Sequence, residues 1–238
     1  EYLKKRKIAA YNVAGYSTEA VAQHTFALLF YLLEKLRFYD EFVKSGEYAD
    51  CGMFSYYGEK FTELSGKTWG ILGMGAIGRK VAQIAEAFGC RVICCSASGN
   101  RYNTAYEQVD FSTLLEQSDI LSIHAPLNVH TNNLMNRAAF EKMKKTAILL
   151  NLARGPIVNE TDLAKALNTG MIAGAGLDVL STEPISRDNP LQKIQDSRKL
   201  LITPHIAWAA TESRKRCVEE TVKNIKRYLQ NSSQNKVY

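Results

Sequence analysis

Residues 68–78 read TWGILGMGAIG, and this run is the natural starting point for interpreting the chain. Its first part, Thr68–Gly73, is apolar enough to predict a buried strand. A helical pattern of apolar residues follows from about Ala76 to Phe88. A glycine-rich turn placed directly between a strand and a helix is typical of a phosphate-binding loop, so we expect a nucleotide site here.

The three glycines of this turn have the spacing G-x-G-x-x-G, and each has a physical purpose in that context. Gly73 permits the tight turn, Gly75 lets the backbone approach a pyrophosphate, and Gly78 lets the helix pack closely on the strand. The pyrophosphate would then meet the N–H groups of Ala76 and Ile77, at the positive end of the helix dipole. A glycine-rich turn without a ligand is the alternative interpretation.

Short apolar runs alternate with helical patterns along the rest of the chain. Further strands are predicted at Arg91–Cys95, Asp119–His124, Thr146–Asn151, Ala175–Leu180 and Leu200–Thr203. Helices are predicted at Phe111–Gln117 after the cap Asp110, at Arg137–Lys144 after Asn136, and from the cap Asn159 to Leu167. Strands that are apolar throughout and separated by helices indicate an α/β fold with a doubly wound parallel sheet of the Rossmann type.

Two long helices are predicted on either side of the sheet region, at Thr18–Phe42 and Thr211–Leu229. An aromatic-rich stretch, Met53–Phe61, follows the first of them. Its aromatic side chains would either form a surface for a partner or be buried within the same subunit, and the sequence favours neither.

The end of the second strand lacks the residue that usually selects NAD. Most NAD-binding proteins carry an Asp or Glu there, which holds the ribose hydroxyls. This chain instead has Ser96, followed by Ala97, Ser98, Gly99, Asn100 and Arg101. No carboxylate would repel a 2′-phosphate, so NADP is permitted, and NAD is permitted through Ser96. The choice between NAD and NADP stays open.

Polar residues stand at or just past the ends of three other predicted strands, namely Arg154, then Asp178 and Glu183, and finally His205. Open α/β sheets bind their ligands at this edge. Each residue taken singly also has a non-functional interpretation. Arg154 would form a surface ion pair, Glu183 would be a charged residue in a loop, and His205 would be a histidine at a strand end whose ring is hydrogen-bonded within the protein.

Five runs of sequence are more specific in combination. They are GYSTEAVAQHTFALL at 15–29, IHAPLNVHT at 123–131, NLARGPIVNETDLAKAL at 151–167, GAGLDVLSTEP at 174–184 and TPHIAW at 203–208. Together with the glycine loop, they resemble the D-isomer-specific 2-hydroxyacid dehydrogenase family, in particular its glycerate and hydroxypyruvate reductases. The resemblance covers essentially the whole chain.

The resemblance implies a catalytic set of Arg154, Glu183 and His205. The guanidinium of Arg154 would hold the substrate carboxylate and polarise the 2-oxo group. The imidazole of His205 would donate a proton to the carbonyl oxygen, and Glu183 would favour its protonated form. Asp178 matches the residue that family members place against the nicotinamide carboxamide.

The resemblance also implies further cofactor contacts. His124 would border the adenosine, and the other expected contacts are Ala125, Pro126, Thr131 and Ala153, with Arg154, Asp178 and His205 from the set above. We expect structural roles for His24, in a helix, and for His130, in a loop. No metal site is expected.

Family members have a second, smaller substrate domain, built mainly from the front of the chain. By this comparison, residues 1–15 would be a remnant of it, 16–206 the dinucleotide-binding domain, and 207–238 a segment that returns to the substrate domain. The resemblance therefore predicts that this chain alone binds cofactor but turns over poorly. It also predicts a two-fold homodimer that pairs through the region of the first long helix.

The function that follows is an oxidoreductase that transfers a hydride between NAD or NADP and a small 2-oxo acid, giving a D-2-hydroxy acid. The alternative is a dinucleotide-sensing regulatory protein, like the related co-repressors. A formate dehydrogenase is disfavoured because those enzymes lack the Glu partner that Glu183 would provide. The sequence does not identify which 2-oxo acid is used.

Bulk properties exclude several other classes. The net charge of +6 includes the cluster Lys4–Lys7, but the remaining basic residues alternate with acids, so we expect no nucleic-acid partner. The longest apolar stretch, Ala20–Leu33, is too short to span a bilayer. The five cysteines form no C-x-x-C pair, which favours a reduced, cytoplasmic protein.

Overall fold

The computed structural model describes residues 2–97, 99 and 104–237. Within them, seven strands form one sheet in which every neighbouring pair is parallel. The strands are β1 (Thr68–Leu72), β2 (Arg91–Cys95), β3 (Glu107–Gln108), β4 (Ile120–Ile123), β5 (Ile148–Asn151), β6 (Gly174–Leu177) and β7 (Leu200–Ile202). Their order across the sheet is β3-β2-β1-β4-β5-β6-β7.

Helices connect and flank these strands. In chain order they are α1 (Tyr2–Lys5), α2 (Thr18–Leu33), α3 (Leu36–Lys44), α4 (Glu47–Asp50), α5 (Ala76–Ala87), α6 (Phe111–Gln117), α7 (Arg137–Lys142), α8 (Glu160–Thr169) and α9 (Thr211–Leu229). The predicted caps are confirmed, because the side chains of Asp110, Asn136 and Asn159 each accept a hydrogen bond from a backbone N–H in the first turn of α6, α7 and α8. None of the described helices is long and apolar enough to cross a membrane.

The sheet separates two apolar clusters, as a doubly wound fold requires. One cluster packs α2 and α5 on the sheet and includes Leu28 and Val81. The other packs α6, α7 and α8 on the opposite face and includes Phe140. Cys94 belongs to the first cluster and Cys95 to the second, so these adjacent strand residues point to opposite faces. The predicted fold class is therefore confirmed.

The strand order reverses beside β1, which has β2 on one side and β4 on the other. The connection after β1 leads to β2 on one side, and the connection after β4 leads to β5 on the other side. Their divergence opens a crevice at the carboxyl edge of the sheet. The loop after β1 contains Gly73 and the loop after β4 contains His124 and Ala125. Because β5, β6 and β7 are consecutive neighbours, the loops that follow them meet at this same edge.

One predicted element is wrong. The predicted helix Thr18–Phe42 is two helices, because α2 ends at Leu33 and α3 begins at Leu36. Lys35 lies between them in the left-handed region, with φ of 56°. The apolar spacing continues across this break, so periodicity alone does not reveal it.

Strand β3 was not predicted. Its two residues, Glu107–Gln108, are polar and pair with β2 at the edge of the described sheet, so they carry no apolar signal. Several predicted strands are also too long: the strand predicted at Ala175–Leu180 ends at Leu177, and the residues after it belong to a loop.

Candidate active site

Glu183 and His205 form the central contact of the site. Nδ1 of His205 lies 2.7 Å from Oε2 of Glu183, and the two side chains are 40% and 36% exposed. The other carboxylate oxygen of Glu183, Oε1, accepts a hydrogen bond of 2.9 Å from the backbone N–H of Leu180. The carboxylate is thus held by its own loop while it faces the histidine from the neighbouring strand end.

The pKa of the Glu183 carboxyl lies below its ordinary value. Burial by itself would raise this pKa, but the hydrogen bonds from His205 and from the Leu180 amide lower it, and the positive charge of Arg154 adds to the lowering. Glu183 is therefore a carboxylate at neutral pH and can only accept hydrogen bonds. Nδ1 of His205 must carry the shared proton, which leaves Nε2 of His205 for a ligand.

Arg154 lies in the loop after β5, and a buried asparagine shapes that loop. The side chain of Asn151 accepts from the N–H of Ala153 at 3.1 Å and donates to the carbonyl of Arg154 at 3.0 Å. Nη1 of Arg154 donates to the carbonyl of Ala153 at 2.6 Å. Within the described chain no carboxylate lies at ion-pair distance from this exposed guanidinium, so it can take the carboxylate of a ligand.

The Arg154 and Glu183 loops touch through their backbones. A Cβ added to Gly155 would lie 1.9 Å from the carbonyl carbon of Leu180 and 2.3 Å from the amide nitrogen of Ser181. Glu160 strengthens this junction, because its Oε1 accepts from the N–H of Ser181 at 2.6 Å. Its Oε2 accepts from the side chain of Asn189, farther along the same loop, at 2.7 Å.

His205 has a strained backbone. Its φ of 55° lies in the left-handed region, which costs a non-glycine residue about 1–2 kcal/mol. Asp178 compensates for this strain. Its carbonyl accepts from the N–H of His205 at 2.8 Å, and its carboxylate accepts from the amides of Ile206 at 2.9 Å and Ala207 at 2.8 Å. The Asp178 side chain is 1% exposed, and its expected contact with a nicotinamide carboxamide stays a prediction.

The glycine loop fits a dinucleotide. Gly73 has a φ of 98°, and a Cβ there would lie 2.6 Å from the amide nitrogen of Ala125. A Cβ on Gly78 would lie 2.2 Å from the carbonyl oxygen of Gly73. By contrast, no heavy atom lies within 4 Å of the position that a Cβ on Gly75 would occupy, so the space above this residue is open. Helix α5 begins at Ala76 without a side-chain cap, which leaves its first N–H groups for a phosphate.

His124 supports the same interpretation. Both ring nitrogens are buried, and neither has a hydrogen-bond partner among the described residues. Burial lowers the pKa of this imidazole from its ordinary 6.5 to about 3. Unpaired buried nitrogens are costly in the free protein, and a polar ligand group in the crevice would satisfy them.

The remaining predicted cofactor residues line the same edge with different exposure. Ala125 and Ala153 are buried and Pro126 is exposed. The Thr131 hydroxyl shapes its own loop, because it donates to the carbonyl of Pro126 at 2.7 Å and accepts from the amide of Asn128 at 2.8 Å. Ser96 is buried at the end of β2. Of the residues after it, Ser98, Asn100 and Arg101 lie outside the described residues.

The sequence did not predict a contact between His24 and Thr203 beside the site. His24, for which a structural role was expected, lies on α2 with Nε2 at 2.9 Å from Oγ1 of Thr203. His24 lies in run 15–29 and Thr203 in run 203–208, two of the runs that carry the family resemblance. Their place in these runs was the sequence signal that could have pointed to them. Beside them, a cavity of about 490 Å³ runs past His205 between mostly apolar walls that include Leu180, Ile185 and Ile202.

Comparison with known proteins supports this description. The family model for "D-isomer specific 2-hydroxyacid dehydrogenase, NAD binding domain" matches residues 26–207. A hydroxypyruvate reductase of Blautia hydrogenotrophica is 38% identical over 236 residues, which cover 98% of this chain and 72% of that protein.

Two solved structures are also similar. An acyclic imino acid reductase in complex with NADPH and D-Arg has a TM-score of 0.88 and 34% identity, covering 99% of this chain and 73% of that one. A D-lactate dehydrogenase from Aquifex aeolicus, in complex with NAD and lactic acid, has a TM-score of 0.85 and 31% identity. The match covers 98% of this chain and 73% of that one.

We predict that Gly155→Ala separates the Arg154 and Glu183 loops. The added methyl group would overlap the Leu180–Ser181 peptide, so one loop must move, at a cost of about 1–3 kcal/mol in the free energy of unfolding. Denaturant unfolding measures this cost, and a crystal structure of the variant would locate the shift. Gly174→Ala is the control with a milder contact, because its Cβ would lie 3.2 Å from the carbonyl oxygen of Lys199, which a shift of a few tenths of an ångström relieves. Equal stability of the Gly155 variant and the control would contradict the contact.

We also predict an acid-dependent stability that originates at His124. Because the folded-state pKa is about 3 and the ordinary value is 6.5, the unfolded chain binds more protons between these two pH values. Stability is therefore complete above this window and falls as the pH decreases through it, by at most about 1.4 kcal/mol per pH unit. Urea unfolding of His124→Asn should give a flatter pH dependence than that of the parent protein. His130→Asn, on an exposed loop, should keep the parent slope; a parent slope in both variants would rule out His124 as the source.

Proposed function

Because this chain belongs to the D-isomer specific 2-hydroxyacid dehydrogenase family, we propose that it interconverts a small 2-oxo acid and the corresponding D-2-hydroxy acid with NAD or NADP. The observation that carries the proposal is the 2.7 Å contact between Glu183 and His205, with Arg154 on the adjoining loop. One anion-binding guanidinium and one carboxylate-backed imidazole are the groups that reduction of a 2-oxo acid requires.

The chain's own residues bind the substrate and move one proton. The guanidinium of Arg154 pairs with the substrate carboxylate and directs the 2-oxo oxygen towards His205. Nε2 of His205 donates its proton to that oxygen as the carbonyl carbon is reduced, and takes it back in the oxidative direction. Glu183 stabilises the protonated imidazole through Nδ1 and keeps the ring oriented. When bound, the nicotinamide ring supplies or accepts the hydride.

Residues of the crevice would hold the dinucleotide. The amides after Gly75 would bind the pyrophosphate, and His124, Ala125 and Pro126 would line the adenosine side. The absence of a carboxylate at Ser96 supports use of NADP as well as NAD, since no negative charge at that position repels a 2′-phosphate.

We propose that residues 16–206 form the dinucleotide-binding domain and that 1–15 and 207–238 belong to a smaller substrate domain. The two terminal segments bind each other: the N–H of Asn12 donates to the carbonyl of Asn235 at 3.0 Å, and the side chain of Asn224 donates to the carbonyl of Asn12 at 2.8 Å. Exposed apolar residues follow one face of α9 at helical spacing, and this face suits packing within such a domain: Val218, Val222, Ile225 and Leu229.

A homodimer is the assembly that we propose. Phe42 stacks on Tyr56, with ring centroids 4.1 Å apart, and this stack holds the segment after α4 against α3. Beside it, Phe54 is 97% exposed and Tyr57 is 80% exposed. Large aromatic side chains exposed together are typical of a protein interface, and a second copy of the chain would cover them.

Among the alternatives, a dinucleotide-sensing regulatory protein is less well supported. The relatives named above are reductases or dehydrogenases, and Glu183 and His205 line an open cavity here. The five free cysteines support the cytoplasmic location that we propose.

The proposed activity is tested with a panel of 2-oxo acids, including hydroxypyruvate, glyoxylate and pyruvate, with NADH and NADPH compared throughout. Consumption of reduced cofactor with at least one acid is expected. Tight dinucleotide binding without turnover of any acid, in a protein that also contains the rest of the substrate domain, would favour the regulatory alternative.

Replacement of Arg154 tests substrate binding in the transition state. Arg154→Lys keeps the charge but loses the planar fork of donors, so we expect kcat/KM to fall by a factor that corresponds to about 2–4 kcal/mol. Arg137→Lys is the matched control, because the Arg137 side chain pairs with Glu141 at the surface. Unchanged kinetics in the Arg154 variant would remove this residue from the mechanism.

The proposed dimer is tested by sedimentation at micromolar concentration. The double variant Phe54→Glu and Tyr57→Glu places two charges in the exposed aromatic surface, so we expect its dissociation constant to rise at least about tenfold, which is 1.4 kcal/mol. Val129→Glu, at an exposed loop position far along the chain from this surface, is the control and should remain dimeric. A monomeric parent protein would contradict the proposal.

A further inference from the structure

Helix α2 contacts the edge of the sheet that carries the candidate active site, and His24 makes this contact. Nε2 of His24 lies 2.9 Å from the hydroxyl oxygen of Thr203 and 3.6 Å from Oδ1 of Asp178. The Thr203 hydroxyl lies 2.6 Å from the same carboxylate oxygen. The three side chains thus form a chain of polar contacts from a helix on one face of the sheet to the loop after β7.

The direction of each hydrogen bond in this chain follows from proton counting. The carboxylate of Asp178 can only accept, so the single hydroxyl proton of Thr203 is donated to it. The hydroxyl oxygen of Thr203 must then accept from His24, which requires a proton on Nε2. Burial lowers the pKa of His24, and the charge of Asp178 only partly opposes this effect, so a neutral ring protonated on Nε2 accounts for the geometry.

Asp178 transmits this contact to His205. Its carboxylate accepts a hydrogen bond from the Thr203 hydroxyl. It also accepts hydrogen bonds from the backbone amides of Ile206 and Ala207, the two residues that follow His205. These bonds hold His205 in its left-handed backbone conformation, and that conformation brings the imidazole to Glu183. An Asp178 carboxylate turned by a lost donor would release the two amides and move the ring of His205.

We propose that His24 is a positioning residue, which acts through Thr203 and Asp178 to hold the imidazole of His205 against Glu183. This role rests on the proposed function, because His205 is the proton donor in that function. The link between His24 and the His205–Glu183 contact is a statement about geometry, and it can be tested without turnover.

The test uses the proton on Nδ1 of His205, which is hydrogen-bonded to Glu183 and should give a downfield resonance in the proton NMR spectrum. His205→Asn identifies the signal by removing it. His24→Leu and Thr203→Val each delete one link, and we expect both to shift or abolish this resonance. His24→Gln retains a donor at similar reach and Thr203→Ser retains the hydroxyl, so both should preserve it.

Ser122→Ala is the matched control. It removes another buried side-chain hydrogen bond, the 2.8 Å contact with Nε1 of Trp69, at a position within the sheet and away from the His205 loop. The control should be destabilised but should keep the His205 resonance. If Ser122→Ala also abolished the resonance, or if His24→Leu and Thr203→Val both preserved it, the proposal would be overturned. Thr203→Val changes the side-chain volume little, so it keeps the test available if His24→Leu does not fold.

Kinetics separate this role from a purely structural one. In His24→Leu and Thr203→Val we expect kcat to fall at least about tenfold, because a displacement of roughly 1 Å is enough for such a loss. The conservative variants His24→Gln and Thr203→Ser should keep kcat within about twofold of the parent value, because each retains its hydrogen bond. A rise in KM alone would count against positioning. A protein that gives the NMR result but reduces no 2-oxo acid would refute the proposed function and leave the positioning role intact.

Discussion

The carboxylate of Asp178 is buried at the edge of the sheet, and the arrangement of the site depends on what it binds. Its protein donors are the Thr203 hydroxyl and two successive amides that follow His205. A buried charge is tolerated only when such donors surround it, so the loop after β7 cannot relax without exposing an unpaired carboxylate. This requirement explains how His205 keeps a backbone conformation that a non-glycine residue seldom adopts.

Parallel strand order explains why residues far apart in sequence meet here. Arg154, Glu183 and His205 follow β5, β6 and β7, which are consecutive neighbours in the sheet. Each loop then needs only a local device to complete the geometry. Asn151 shapes the first loop, Glu160 holds the second and Asp178 holds the third. The register of the sheet sets the approximate positions of the three catalytic side chains, and these polar contacts set their final positions.

Much of this organisation was predictable from sequence, because it depends on local signals. Apolar runs, helix caps such as Asp110 and the glycine spacing at Gly73 act over a few residues, and the structure agrees with them. The features that were missed depend on tertiary context. The left-handed Lys35 interrupts a helix whose apolar spacing continues, β3 exists only because β2 offers a free edge, and the bond from His24 to Thr203 joins residues that are 179 positions apart. No short-range pattern encodes such contacts.

The close approach at Gly155 has a consequence for how such a site can diversify. The atoms that exclude a side chain at this position are the backbone atoms of Leu180 and Ser181. Their side chains are therefore free of this constraint, and that of Leu180 lines the cavity beside His205. Evolution can replace this wall of the cavity, and so change which molecules fit, while the peptide junction that aligns the guanidinium with the carboxylate stays in place.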